Sequence, residues 1–178
     1  MKNKVITEEV LEKSQKAQRI FDEAENFFLA SNILANSIDK SDELKKLGMR
    51  NVFNINHAFA IELYLKCLQI IEKGNYQGGH VLIKLFNRLD YSTKDTIRHL
   101  YNQKWLEMRY STIFFIKPNE GDFVELLKEI KEPFVAFRYL SENEDGLPLY
   151  KLENAINCLR SVIFELDEII DQKHNVLF

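Results

Sequence analysis

Between Val10 and Leu34, apolar or small residues recur in steps of three and four: Val10, Leu11, Ser14, Ala17, Ile20, Phe21, Ala24, Phe27, Phe28, Ser31 and Leu34. Such spacing keeps them on one side of an α-helix, whereas a strand would scatter them over both faces. Thr7 supplies an N-cap with Glu8 and Glu9 in the first turn, and Asp39-Lys40-Ser41-Asp42 breaks the pattern. A helix is predicted over 7–38. A stripe this long must be covered by other elements, so the rest of the chain has to supply partners for it.

The next periodic segment differs in kind. Ile61, Leu63, Tyr64, Leu65, Cys67, Leu68, Ile70 and Ile71 point in nearly every direction around a helix. Glu62, Lys66, Gln69 and Lys73 leave only a narrow polar stripe, with Glu62 and Lys66 spaced for an ion pair. A helix apolar on most sides is surrounded by others, so 51–73 is expected to be the central helix. Gly74-Asn75 and Gly78-Gly79 end it, and His80 opens a third segment carried by Val81, Leu82, Leu85, Phe86 and Leu89.

Ser92 with Asp95 has the spacing of a capping box and predicts a helix running through Ile97, Leu100, Tyr101 and Trp105. Residues 111–116 suit either a continued helix or a short strand. Asp122 is expected to cap the following helix, and Pro133 to end or kink it. Arg138 has Glu142 as its i+4 partner. Leu152, Ile156, Leu159, Ile163, Leu166 and Ile170 predict one last helix.

Six glycines and three prolines in 178 residues are too few for the many turns of an all-β chain. With no repeat, linker or low-complexity tract, the expectation is one all-α domain over 1–178, an up-and-down bundle of five or six helices. Cys67 and Cys158 lie in apolar helical patterns with no CxxC partner, which argues against a disulfide framework or zinc site. The four histidines show no metal-ligand spacing with acidic residues, and no Gly-rich phosphate loop is present. Neither a metal nor a cofactor is expected. No signal-peptide apolar region follows the first lysines, and no apolar run approaches the roughly 18 residues of a membrane span, so a soluble, cytoplasmic protein is expected. A net charge of −3 excludes a generally basic nucleic-acid binder but not a local basic patch.

Two stretches stand together in an informative way: Ala58-Phe59-Ala60-Ile61-Glu62-Leu63-Tyr64-Leu65-Lys66, then Gly79-His80-Val81-Leu82-Ile83-Lys84-Leu85-Phe86. This pairing of an A-x-E-L-x-L-K helix with a G-H-x-L-x-x-L-F helix start resembles bacterial members of the HEPN superfamily (higher eukaryotes and prokaryotes nucleotide-binding). Phe137-Arg138-Tyr139-Leu140-Ser141-Glu142 resembles an R-Y-x-x-E segment of the same proteins. The resemblance implies a four- or five-helix bundle, homodimerisation, and roles in RNA biology, toxin–antitoxin pairs or phage defence. It also implies, for the family's nucleases, metal-independent RNA cleavage by an Arg-x4-6-His motif in a cleft between protomers. Other members lack the motif and bind RNA, nucleotides or protein partners.

Arg50 and His57 satisfy Arg-x6-His. An imidazole can move a ribose 2′-hydroxyl proton and an arginine can stabilise charge on phosphorus. About two helical turns apart, the pair can share one helix face. The family's motif opens a late helix, however, whereas this one precedes the E-L-x-L-K helix. A surface arginine and a helix-start histidine are the competing explanation. The candidate RNA surface is the basic segment with Lys94, Arg98, His99, Lys104 and Arg109, interleaved with Tyr101 and Trp105. Cations neutralise phosphate there while aromatics stack on unpaired bases; alternatively, the aromatics are core contacts behind a solvated face. His80 either caps its helix or helps hold an anion, and Glu62–Lys66 reads as an ion pair beside a buried surface. The expected functions are a non-catalytic binding protein, a metal-independent endoribonuclease using Arg50 and His57, or a structural helical subunit.

Overall fold

The computed structural model describes residues 8–37, 43–111, 122–130 and 149–177, and within these all regular structure is helical. Among the described residues seven helices run in the order α1 (Glu8–Ser37), α2 (Glu43–Lys73), α3 (Leu82–Asn87), α4 (Tyr91–Ser111), α5 (Phe123–Ile130), α6 (Leu149–Leu166) and α7 (Glu168–Leu177). The expected cap at Thr7, the break at 39–42, the strand-or-helix question over 112–116, the Pro133 kink and the Arg138–Glu142 pair lie outside the described residues.

α1 and α2 pack antiparallel. Ala17, Glu25, Phe27 and Phe28 of α1 meet Cys67, Tyr64, Phe59 and His57 of α2, one number rising as the other falls. On α1 the stripe is buried at Ser14, Ala17, Phe21, Ala24 and Ser31. α2 also packs against α3 and α6, and α4 and α7 pack on α6. Ile61, Tyr64, Leu65, Cys67, Leu68 and Ile70 are wholly buried. The residues around Glu62–Lys66 therefore form an interior rod, as the all-round apolar pattern predicts. Burial of each large aliphatic side chain there stabilises the fold by about 1.5–3 kcal/mol.

Several boundaries differ from those expected. α2 begins at Glu43 rather than near Asn51, because the helix continues through Gly48. One interior glycine costs about 1 kcal/mol relative to alanine, too little to stop a helix this long. Gly74 closes α2 in the left-handed region (φ 76°), its N–H donating to the Ile70 carbonyl at 2.8 Å. Ser92 is not a cap: α4 starts at Tyr91, with Lys94 N–H donating to the Asp90 carbonyl at 3.1 Å. The start is set from outside the helix. Glu72 accepts the Asp90 N–H at 3.0 and 3.2 Å, and Lys73 lies 3.5 Å from the Asp90 carboxylate, clamping the end of α2 onto the α3–α4 turn.

Asp122 does cap α5, accepting the Val124 N–H at 2.7 Å, and Phe123, Leu126, Leu127 and Ile130 face the core. The single last helix is a helix pair. It divides at Asp167, which accepts the N–H groups of Ile169 and Ile170 at 3.0 and 3.2 Å and a hydrogen bond from the Ser14 hydroxyl of α1. Among the described residues no helix is long and apolar enough to cross a membrane.

Candidate functional site

His57 sits in the α1–α2 interface at 3 % exposure. Its ring stacks on Phe53 (centroids 5.4 Å apart), meets the edge of Phe28 at 5.6 Å, and places Nδ1 2.9 Å from the Phe53 carbonyl. Burial lowers its pKa below the ordinary 6.5, outweighing the Phe53 carbonyl and Glu153, which act the other way. The imidazole is a neutral core group. Arg50 lies two turns earlier on the same helix, and its side chain is outside the described residues.

The basic segment divides by helix face. Arg98 and His99 are exposed, Lys94 and Lys104 half-buried, and the side chain of Arg109 lies outside the described residues. Arg98 pairs with Asp122 at 3.3 Å, and Lys94 reaches the Asn87 carbonyl at 3.4 Å. Tyr101 and Trp105 do not join this face. They are 1 % and 5 % exposed, Tyr101 meeting Phe123 edge-on at 5.4 Å. As stacking platforms they are corrected to core residues, because Ile97, Tyr101 and Trp105 follow the helix's buried stripe.

The two motif stretches converge on one carboxylate. Glu62, 3 % exposed, accepts from Lys66 at 2.6 Å, while His80 Nδ1 lies 3.0 and 3.2 Å from its two oxygens. The Lys66 ammonium also lies 5.4 Å from the Tyr76 ring centroid. Gly79 (φ 118°) gives the backbone the turn that brings His80 back to α2. A buried carboxylate needs such partners, and Glu62 thereby ties the loop after α2 to the rod. His80 is thus held by a side chain of α2.

A second polar cluster went unnoticed in the sequence. Glu25 of α1 accepts the Tyr64 hydroxyl at 2.5 Å and a bond from Arg160 Nη2 at 3.2 Å. Arg160 Nε lies 2.7 Å from the same carboxylate without an aligned hydrogen bond. Nη2 also lies 3.0 Å from His174 Nε2, within donating distance. The guanidinium carbon stands 5.7 and 5.8 Å from the Phe28 and Phe164 ring centroids. Burial, and then the Glu25 charge, push the Tyr64 phenol far above its usual range, so it stays a donor. Glu25, Arg160 and His174 form the inner wall of a cleft of about 400 Å³ between α1, α6 and α7, with Phe21, Phe28 and Leu29 as apolar walls and Gln18, Asp22, Asn32 and Lys173 around them. Glu25 and Arg160 are 135 positions apart, and no local spacing signals the pair.

Both cysteines are buried thiols. Burial pushes Cys158 up to about 11 and Cys67 higher still, so neither is a nucleophile at neutral pH. No cluster of three or more metal-ligating side chains exists among the described residues. Comparison with protein-family models, with curated proteins and with solved structures finds no match.

Proposed function

We propose that this chain is a non-catalytic, HEPN-like helical binding protein that engages RNA through the cations of α4. The observation that carries the reading is the state of His57, the one base in the Arg-x6-His spacing. It is buried, neutral and committed to a backbone carbonyl. A general base must reach the proton it removes, and this one faces Phe28 and Phe53 instead of solvent. The Glu62 clamp supports the HEPN-like part, since it gives both resembling stretches one physical purpose.

Arg98, Lys94 and Lys104 neutralise phosphate in this reading, with His99 as a hydrogen-bonding neighbour and no base stacking on Tyr101 or Trp105. A homodimer in a toxin–antitoxin or phage-defence setting is the context the resemblance implies, and the cytoplasm is the compartment expected from the sequence. A nucleotide or a protein partner is the other ligand class it allows.

Fluorescence anisotropy with a labelled single-stranded RNA at low salt tests the proposal. Lys94→Glu/Arg98→Glu is expected to weaken binding about tenfold or more. Equal affinity of parent and variant, or no RNA binding by the parent, removes RNA as the ligand. Incubation of the same RNA in excess chelator separates the endoribonuclease alternative: cleavage that disappears in His57→Ala would establish it, whereas the binding reading expects intact RNA with both proteins.

A further inference from the structure

We infer that the cleft between α1, α6 and α7 binds a small zwitterion with an apolar body, of the kind represented by a free aromatic amino acid. This goes beyond the RNA proposal and does not depend on it, since α4 contributes nothing to the cleft. The argument rests on which polar groups of the lining are already used. Glu25 is spent on Tyr64 and Arg160, and those two charges cancel. Of the charged groups there remain one anion, Asp22 on α1, and one cation, Lys173 on α7, beside the uncharged Gln18, Asn26 and Asn32.

Asp22 uses Oδ1 to accept from Gln18 at 2.7 Å and makes no ion pair among the described residues. Lys173 has neither an ion pair nor a hydrogen bond there, so the two charges line the same cleft without meeting. Arg160 adds Nη1, which makes no hydrogen bond to a described residue. The cleft therefore presents unspent donors from α6 and α7 and an unspent acceptor from α1. Both charges are exposed, so neither needs a partner, but a ligand of single charge gains an ion pair on one side only and a zwitterion gains one on each.

The body of the ligand follows from the walls. Phe21, Phe28 and Leu29 supply an apolar surface beside these groups. The volume, about 400 Å³, lies within the 300–1,000 Å³ typical of small-molecule sites. In the bound state the ammonium faces Asp22, the carboxylate faces Lys173 and Arg160 Nη1, and the side chain lies on Phe28 and Leu29, above the buried Phe21. The Glu25–Arg160–Tyr64 cluster fixes the guanidinium in advance, so the site spends little ordering it on binding.

Isothermal calorimetry with L-phenylalanine, phenethylamine and phenylacetate is the test. The last two lack the carboxylate and the ammonium respectively. Saturable binding of L-phenylalanine is expected, with each truncated compound about tenfold weaker or more. Two variants at exposed positions, Lys173→Glu and Leu29→Trp, are each expected to weaken L-phenylalanine by a similar factor while leaving the far-ultraviolet circular dichroism unchanged. The inference is overturned if the parent shows no saturable binding. It is equally overturned if a truncated compound binds as tightly, or if both folded variants bind like the parent. None of these results bears on RNA binding by α4.

Discussion

At the scale of single residues, burial decides chemistry. His57 and His99 are the same side chain with opposite fates, one enclosed by Phe28 and Phe53 and the other exposed on α4. Because the folded state holds His57 below the ordinary 6.5 of an unfolded chain, the unfolded state binds the extra proton first as pH falls. The stability this residue contributes is complete above that value and is lost progressively below it. Urea midpoints of parent and His57→Gln at about pH 7.5 and about pH 5.5 check this: the parent is expected to lose more stability on acidification than the variant. An equal loss in both proteins would show that His57 is already solvated. The sequence placed His57 near a helix start with Arg50. The same tally of residues cannot reveal that Phe28, from another helix, covers it.

At the scale of elements, local patterns located helices well and their ends poorly. The α1 stripe, the α2 rod and the Asp122 cap of α5 were legible because each depends on neighbours in sequence. The start of α4 was not, since side chains of α2 fix it, and neither was the division of the last helix, since unbroken apolar periodicity hides the local cap that makes it. Asp167 shows how. Apolar periodicity runs unbroken through Leu166 to Ile170, yet the chain restarts at Asp167 because its carboxylate caps α7 and is held by Ser14. Asp167→Ala should cost about 1 kcal/mol for the cap alone. The effect should be local: amide hydrogen exchange at Ile169 and Ile170 accelerates while that of Leu65 and Leu68 keeps its rate. Unchanged protection at Ile169 and Ile170 would mean that the cap contributes nothing to α7.

At the scale of the whole molecule, α2 is the part on which the rest is built. It touches α1, α3 and α6, and it carries Glu62, Tyr64 and Lys66 into the two polar clusters. Leu65, with no exposure, lies in its middle. Leu65→Ala is expected to cost about 2–5 kcal/mol, the range for deleting a buried leucine side chain. Leu29→Ala, at a half-exposed position, should stay within about 0.5 kcal/mol of the parent. Chemical denaturation of the two variants compares them directly. Similar losses would mean that α2 is not the interior helix. The two polar clusters also divide by origin. Glu62, Lys66 and His80 were each singled out in the sequence because they stand in recognisable stretches, and the structure adds that they share one carboxylate. Glu25, Arg160 and His174 stand in no such stretch. They meet only because α1 and α6 pack together with α7 folded back beside them.

The order of apolar residues along this chain determined by itself that it is helical, where most helices lie, and which one is enclosed by the others. Helix formation and amphipathic burial depend on spacings of three and four, and those are written locally. The tertiary structure alone decided that the motif histidine is sealed and neutral, that Tyr101 and Trp105 belong to the core, and that a cleft with unspent opposite charges opens beside α1. Each of those outcomes depends on which distant side chain arrives at a given surface, and only packing sets that.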